Sequence, residues 1–268
     1  MQTDGPISAS LAVDALGLDL REAMALAGEA GFAGIAASHQ HQELVDPGFG
    51  QTARRHLRHM LQRHHLRLAC IRAVSTRGGL LDSKSLDRVM NSAVAAIRMA
   101  YDLGAPMVSL YAGTPTTATD LAAAPMEIAD TVVEAAQSLA GEADQAGLQL
   151  CLSSSSVDFL LLLLGRVGAG HLRANLDTAR LGLDAAGLLR AADRLGSRVG
   201  IWTLADGMVA GQSFRPVELG RGDLPLAEIM VRTVGCNWCG ELIVDVRDLP
   251  DPQHAAKAAA EALRSTRL

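Results

Sequence analysis

A short apolar run followed by an amphipathic stretch recurs about eight times along the chain, and this alternation restricts the fold more than any other feature. Strand-like runs cover Ile7–Ala12, 34–38, 68–73, 107–111, 148–152, 172–176, 199–203 and 241–246. Stretches of helical period follow at 20–31, 52–65, Leu86–Leu103, 126–146, Val157–Val167, 183–195, Leu226–Val234 and 253–264. Before the seventh of these helices lies a long loop that contains residues 214–223. Strands that alternate with helices are joined by crossovers and therefore run parallel. The strand runs are almost continuously apolar, as expected when both sheet faces are covered. The pattern predicts an α/β fold, a (β/α)8 TIM barrel formed as a single domain over 1–268. An open doubly wound sheet is the alternative, but no G-x-G-x-x-G follows the first strand.

Composition narrows the function. Hydrophobic residues make up 49% of the chain, enough for a sizeable core, while aromatics are only 3% and offer no platform for stacking bases. The formal net charge of −5 argues against a nucleic-acid partner. Residues 1–6 lack the basic start of a signal peptide, and no apolar run reaches membrane length. The expectation is a cytoplasmic protein with no membrane partner, free to form a homo-oligomer. Cys70, Cys151, Cys236 and Cys239 do not suggest a disulfide framework. The CxxC of 236–239 follows a helix and precedes a strand, the reverse of a redox motif, and has no second CxxC to complete a zinc site.

In a barrel, chemistry collects where strands end and loops begin. Asp177 stands at such an end, in Ala174-Asn175-Leu176-Asp177-Thr178, and either caps the following helix or faces a ligand. His39 and His41 lie beyond the second strand, as loop histidines in solvent or as acid/base or substrate-binding groups. Ser153 opens a run of four serines that either caps a helix or binds polar substrate groups. Gly220-Arg221-Gly222 is either a surface turn or a backbone cradle for phosphate. His56, His59, His64 and His65 fall on a helix expected outside the barrel.

Leu176-Asp177-Thr178-Ala179, the segment Arg215-Pro216-Val217-Glu218-Leu219-Gly220-Arg221-Gly222-Asp223 and the last strand Gly240-Glu241-Leu242-Ile243-Val244-Asp245 resemble the xylose-isomerase-like sugar phosphate isomerase/epimerase superfamily. The resemblance spans nearly the whole chain in element order, with its specific motifs between about 148 and 246. It implies a divalent metal held by Glu, Asp, His and Glu at the ends of the fifth to eighth strands, and acidic residues that move protons between adjacent carbons. Here those ligand positions read Ser153, Asp177, Thr203 and Asp245, and a substrate-contacting histidine three positions after the aspartate reads Arg180. Neutral hydroxyls do not replace lost anionic ligands for Mg²⁺ or Mn²⁺, so no metal cofactor is expected. The resemblance then implies a sugar isomerase/epimerase-like enzyme, or a lyase, acting on a small polyhydroxylated or carboxylated substrate. Asp177 and Asp245 would be the catalytic acid/base pair, with Arg180 and Arg215 as anion clamps and Ser153, Thr203, His39 and His41 as further substrate contacts. The alternative is an inactive barrel that binds a ligand or partner subunit, in which Arg180 merely pairs with Asp177 or Asp245.

Overall fold

The computed structural model describes residues 7–44, 50–115, 128–168, 170, 172–211, 213–234 and 238–266. Residues 1–6, Cys236 and the expected helix start at 126–127 lie outside them. Eight parallel strands close a barrel. They are β1 (Ile7–Ala12), β2 (Phe32–Ser38), β3 (Arg67–Arg72), β4 (Met107–Gly113), β5 (Gln149–Ser154), β6 (Leu172–Asp177), β7 (Val199–Leu204) and β10 (Glu241–Val244). β1 pairs with both β2 and β10, which completes the ring. The parallel order follows from the helices between strands: α1 (Leu20–Ala30), α2 (Gln51–Arg63), α3 (Leu86–Leu103), α4 (Asp130–Gln145), α5 (Val157–Val167), the short α6 (Thr178–Leu181), α7 (Ala185–Leu195), α8 (Leu226–Val234) and α9 (Pro252–Ser265). Among the described residues no helix is long and apolar enough to cross a membrane.

Local signals set several of these boundaries. Asp19 caps α1 by accepting from the Glu22 backbone N–H at 2.8 Å, and Gly31 ends the helix in the left-handed conformation. Asp251 caps α9, whose first residue is Pro252. The apolar faces of the helices pack on the outer faces of the strands as one large core. Inside the barrel, Ala12, Ala36, Cys70, Cys151, Ile201 and Ile243 form a separate small cluster. Burial pushes the Cys70 thiol up to about 12, and Cys151 is raised by burial too, so both behave as small apolar side chains. Below that layer Glu241 accepts from Ser10 Oγ at 2.7 Å and pairs with Arg67 at 2.6 Å. A satisfied ion pair therefore occupies the N-terminal end of the barrel interior.

The expected long loop after β7 is instead a two-stranded antiparallel hairpin, β8 (Asp206–Ala210) with β9 (Ser213–Val217). Pro216 pairs opposite Gly207 and is tolerated because β9 pairs with β8 alone. Asp206 anchors the hairpin. Its buried carboxylate accepts four backbone N–H groups: Gly207 and Gly220 at 2.8 Å, Gly222 and Leu224 at 3.0 Å. A Cβ at Gly222 would come within 2.3 Å of Asp206 Oδ1, so only glycine permits this approach. Of the two readings of 220–222, the turn fits better than the phosphate cradle. Its Gly220 and Gly222 N–H groups are already used by an internal carboxylate.

Candidate functional site

The C-terminal mouth of the barrel holds a cavity of about 280 Å³ built from the ends of all its faces. Ser153 comes from β5, Asn175 and Asp177 from β6, and Thr203 from β7. Arg72 arrives from β3, Asp14 from the turn after β1, Arg180 from α6 and Arg247 from the segment after β10. A second cavity of about 430 Å³ continues from it under the hairpin, where Phe214 and Pro216 face Asp177, Asp245 and Arg247. A larger cavity of about 540 Å³ opens at the other end of β5, β6 and β7, between Arg173, Arg232 and Trp238. Its one carboxylate, Asp193, is an exposed ion-pair partner of Arg232. Chemistry rather than volume favours the mouth.

Two buried aspartates dominate that mouth, each 5% exposed. Asp177 does cap α6, since its Oδ1 accepts the Arg180 backbone N–H at 3.1 Å. Its Oδ2 also accepts from Arg180 Nε at 3.1 Å while the carboxylate lines both cavities. The two readings of Asp177, cap and ligand-facing group, are therefore compatible. The Arg180 guanidinium lies over the Tyr111 ring, 4.1 Å from its centroid, which fixes its plane. Asp245 is held by Arg247, which donates from Nε at 2.7 Å and also from Nη2, and by Arg72 Nη2 at 3.3 Å. Arg72 in turn faces Asp14 at 3.7 Å, and Asp14 accepts the Ser38 backbone N–H at 2.7 Å.

The same burial acts on both aspartates with opposite results. Burial pushes the Asp177 carboxyl above its ordinary range, and the Arg180 and Arg247 charges pull it back only in part. Burial also pushes Asp245 up, but Arg72 and the bonds and charge of Arg247 outweigh it and hold Asp245 below its ordinary range. Burial opposes the charge on Arg247, yet Asp245, with help from Asp177 and Asp248, raises its pKa above the usual arginine value. Its arginines thus favour the ionised form of Asp245, whereas burial favours the protonated form of Asp177.

The mouth brings together Asp177, Asp245, Arg180, Ser153 and Thr203, the positions the resemblance picked out. Thr203 Oγ1 donates to Asn175 Oδ1 at 2.9 Å. Three of the anticipated contacts fall elsewhere. His39 is buried behind the wall, where its Nδ1 accepts the Val74 N–H at 3.3 Å and its Nε2 lies 3.4 Å from Ser92 Oγ. Burial lowers its pKa, opposed by the Arg72 carbonyl 3.4 Å from Nδ1, which could accept only from the protonated ring, so the neutral ring is a strut for the loop after β3. His41 lies one turn further on and lines neither mouth cavity. Arg215 is exposed opposite Met208. Successive side chains of a strand alternate faces, so Phe214 and Pro216 turn towards the mouth and Arg215 away from it. His56, His59 and His65 are exposed on and just beyond α2, as expected, while His64 is half-buried.

The donor set does not suit a hard divalent cation. Its two carboxylates already accept from guanidinium groups, and Ser153 and Thr203 contribute only neutral oxygens. Among the described residues, no group of three or more His, Cys, Asp or Glu side chains is placed to hold a metal ion.

A closed parallel barrel with its polar residues gathered at the strand C-termini defines a (β/α)8 protein with a mouth site. The family model for the xylose isomerase-like TIM barrel matches residues 24–266, and the chain belongs to that family. Among curated proteins, no sequence match to the chain was found. Solved structures repeat the fold. A xylose isomerase domain protein from Planctomyces limnophilus is 18% identical, with a TM-score of 0.76 over 99% of this chain and 98% of that one. A xylose isomerase-like TIM barrel protein from Mycobacterium smegmatis in complex with magnesium is 15% identical, with a TM-score of 0.70 over 99% and 98%. D-Psicose 3-epimerase from Clostridium cellulolyticum H10, in structures with D-tagatose, is 15% identical, with a TM-score of 0.69 over 94% of each chain.

Proposed function

We propose that the chain is an isomerase/epimerase-like enzyme that moves a proton on a small polyhydroxylated or carboxylated substrate at the barrel mouth, without a divalent metal. The observation that carries this reading is Asp177, a buried aspartate that lines both cavities beside Arg180 and whose pKa burial raises. Family membership and the similarity in fold to a sugar epimerase support the reaction class. The relative that carries magnesium shows that related barrels take a cation, while the donor set here favours charge stabilisation by arginine.

The two aspartates divide the work expected of an acid/base pair. Asp177 exchanges the proton with the substrate. Asp245 stays ionised and positions Arg72 and Arg247, which face the charge that develops on the substrate oxygen. Ser153 and Thr203 bind substrate hydroxyls. Purified protein dialysed against EDTA and assayed for solvent-deuterium uptake into a panel of ketoses and hydroxy-keto acids tests the reading. Label uptake that survives EDTA supports it. Uptake that appears only when Mn²⁺ or Mg²⁺ is added overturns the metal-independent part, and no uptake by any compound favours the inactive, ligand-binding barrel.

A further inference from the structure

Three guanidinium groups, Arg72, Arg180 and Arg247, reach one cavity of about 280 Å³. They were drawn there from three separate elements, β3, α6 and the segment after β10, so no single local ion pair explains their meeting. Each has an internal partner that fixes its geometry without using all its donors. Arg180 gives its Nε to Asp177 and rests on the Tyr111 ring, and none of its hydrogen bonds among the described residues uses an Nη group. Arg247 gives Nε and Nη2 to Asp245, which leaves Nη1. Arg72 approaches Asp245 with Nη2 and Asp14 with Nη1, at the long distances of 3.3 and 3.7 Å.

A guanidinium carries five N–H donors and no acceptor, and its fork matches the two oxygens of a carboxylate. Held by aspartates on one side, these groups are preorganised to take an anion on the other. The rest of the wall fits the remainder of a small hydroxylated molecule: Ser109, Ser153, Asn175 and Thr203 line the cavity, with Ile243 contributing an apolar floor. The cavity is at the small end of ligand sites, which run from roughly 300 Å³ upward.

We propose that Arg72, Arg180 and Arg247 form a receptor for a carboxylate on the ligand, so that this mouth takes a small hydroxy or keto acid in preference to a neutral sugar. The proposal rests on the reading of the mouth as the substrate site, and it adds the class of ligand. It also makes Arg180 a specificity residue, through its Nη groups, and Arg72 and Arg247 partners in the same contact. A monoanion fits better than a phosphate dianion because the two arginines on Asp245 have already spent part of their charge and donors on it.

Isothermal titration of the intact protein with D-glycerate, glycerol and inorganic phosphate separates these ligand classes without any turnover. D-Glycerate is expected to bind about tenfold or more tighter than glycerol, as a charge-assisted contact requires, and tighter than phosphate. Arg180→Gln should weaken D-glycerate by about tenfold in protein that remains folded, and Arg247→Lys, which keeps the charge beside Asp245 but loses the fork, should weaken it as well. Glycerol binding as tightly as D-glycerate, an Arg180→Gln variant that binds like the wild type, or no binding of any of the three would overturn the proposal. Phosphate binding tighter than D-glycerate would overturn the carboxylate assignment and make the receptor one for phosphate. Turnover in Asp177→Asn fails or survives independently of all these outcomes.

Discussion

Arg247 returns to Asp245, two residues before it, with its backbone N–H at 3.1 Å, its Nε at 2.7 Å and its Nη2 as well. One carboxylate thus organises the exit from the last barrel strand, and Arg72 from the opposite wall completes its shell. This arrangement makes Asp245 a structural anion. Asp245→Asn should therefore destabilise the fold by about 3 kcal/mol in urea unfolding, the low end for a broken buried pair. The low end applies because the Arg247 side chain is 39% exposed and partly screened. A loss under about 0.5 kcal/mol would show that the two arginines find water as readily as they find Asp245.

Asp177 behaves in the opposite sense with pH. Its folded pKa is raised above the ordinary 3.8, so the unfolded chain ionises first as pH rises. Stability linked to this group is full below that ordinary value and is lost as pH climbs through the raised folded value. Asp177→Asn keeps the capping oxygen but cannot ionise. The variant's melting temperature should match the wild type in acid and exceed it increasingly towards neutral pH. A variant that falls further behind the wild type as pH rises would contradict the raised pKa.

Asp206 carries four backbone N–H bonds from one buried carboxylate, and none of them is available to a ligand. Asp206→Ala leaves those donors unsatisfied and should cost on the order of 3 kcal/mol, from several charge-assisted bonds partly replaced by water. Hydrogen exchange should accelerate at Gly220, Gly222 and Leu224 before it does in the barrel strands. Unchanged protection at those three amides would mean that the turn is held by other contacts.

Arg215 points away from the mouth, so Arg215→Ala should leave ligand affinity within about twofold and stability within about 0.5 kcal/mol. A larger loss of affinity, read by the same titration as the Arg180 variant, would place the hairpin's outer face in the site.

How much of this was legible in the sequence depended on which periodicity each residue obeyed. The barrel was legible because eight apolar runs alternate with amphipathic helices, and several strand ends carry a polar residue. Ser153, Asp177, Arg180, Thr203 and Asp245 follow from that rule together with the family resemblance. Arg72 was not, since a single arginine near the end of the apolar run 68–73 carries no motif that marks it. Arg247 sits in Val246-Arg247-Asp248-Leu249-Pro250, which reads as a loop, and only the ring closure of β10 onto β1 carries it over the mouth. The hairpin was hidden by Pro216, which argues against a strand unless the strand is an edge. His39 and His41 misled because a strand-end histidine suggests chemistry, whereas the turn after Ser38 carries His39 behind the wall and leaves His41 outside both mouth cavities.

The most direct test of the account is solvent-deuterium incorporation catalysed by the wild type and by Asp177→Asn, followed by NMR across ketoses and hydroxy-keto acids. The wild type should label at least one compound at the carbon beside its carbonyl, and Asp177→Asn should lose that labelling while its melting temperature is no lower than the wild type's. Labelling at the wild-type rate in Asp177→Asn would contradict the central claim that Asp177 carries the proton.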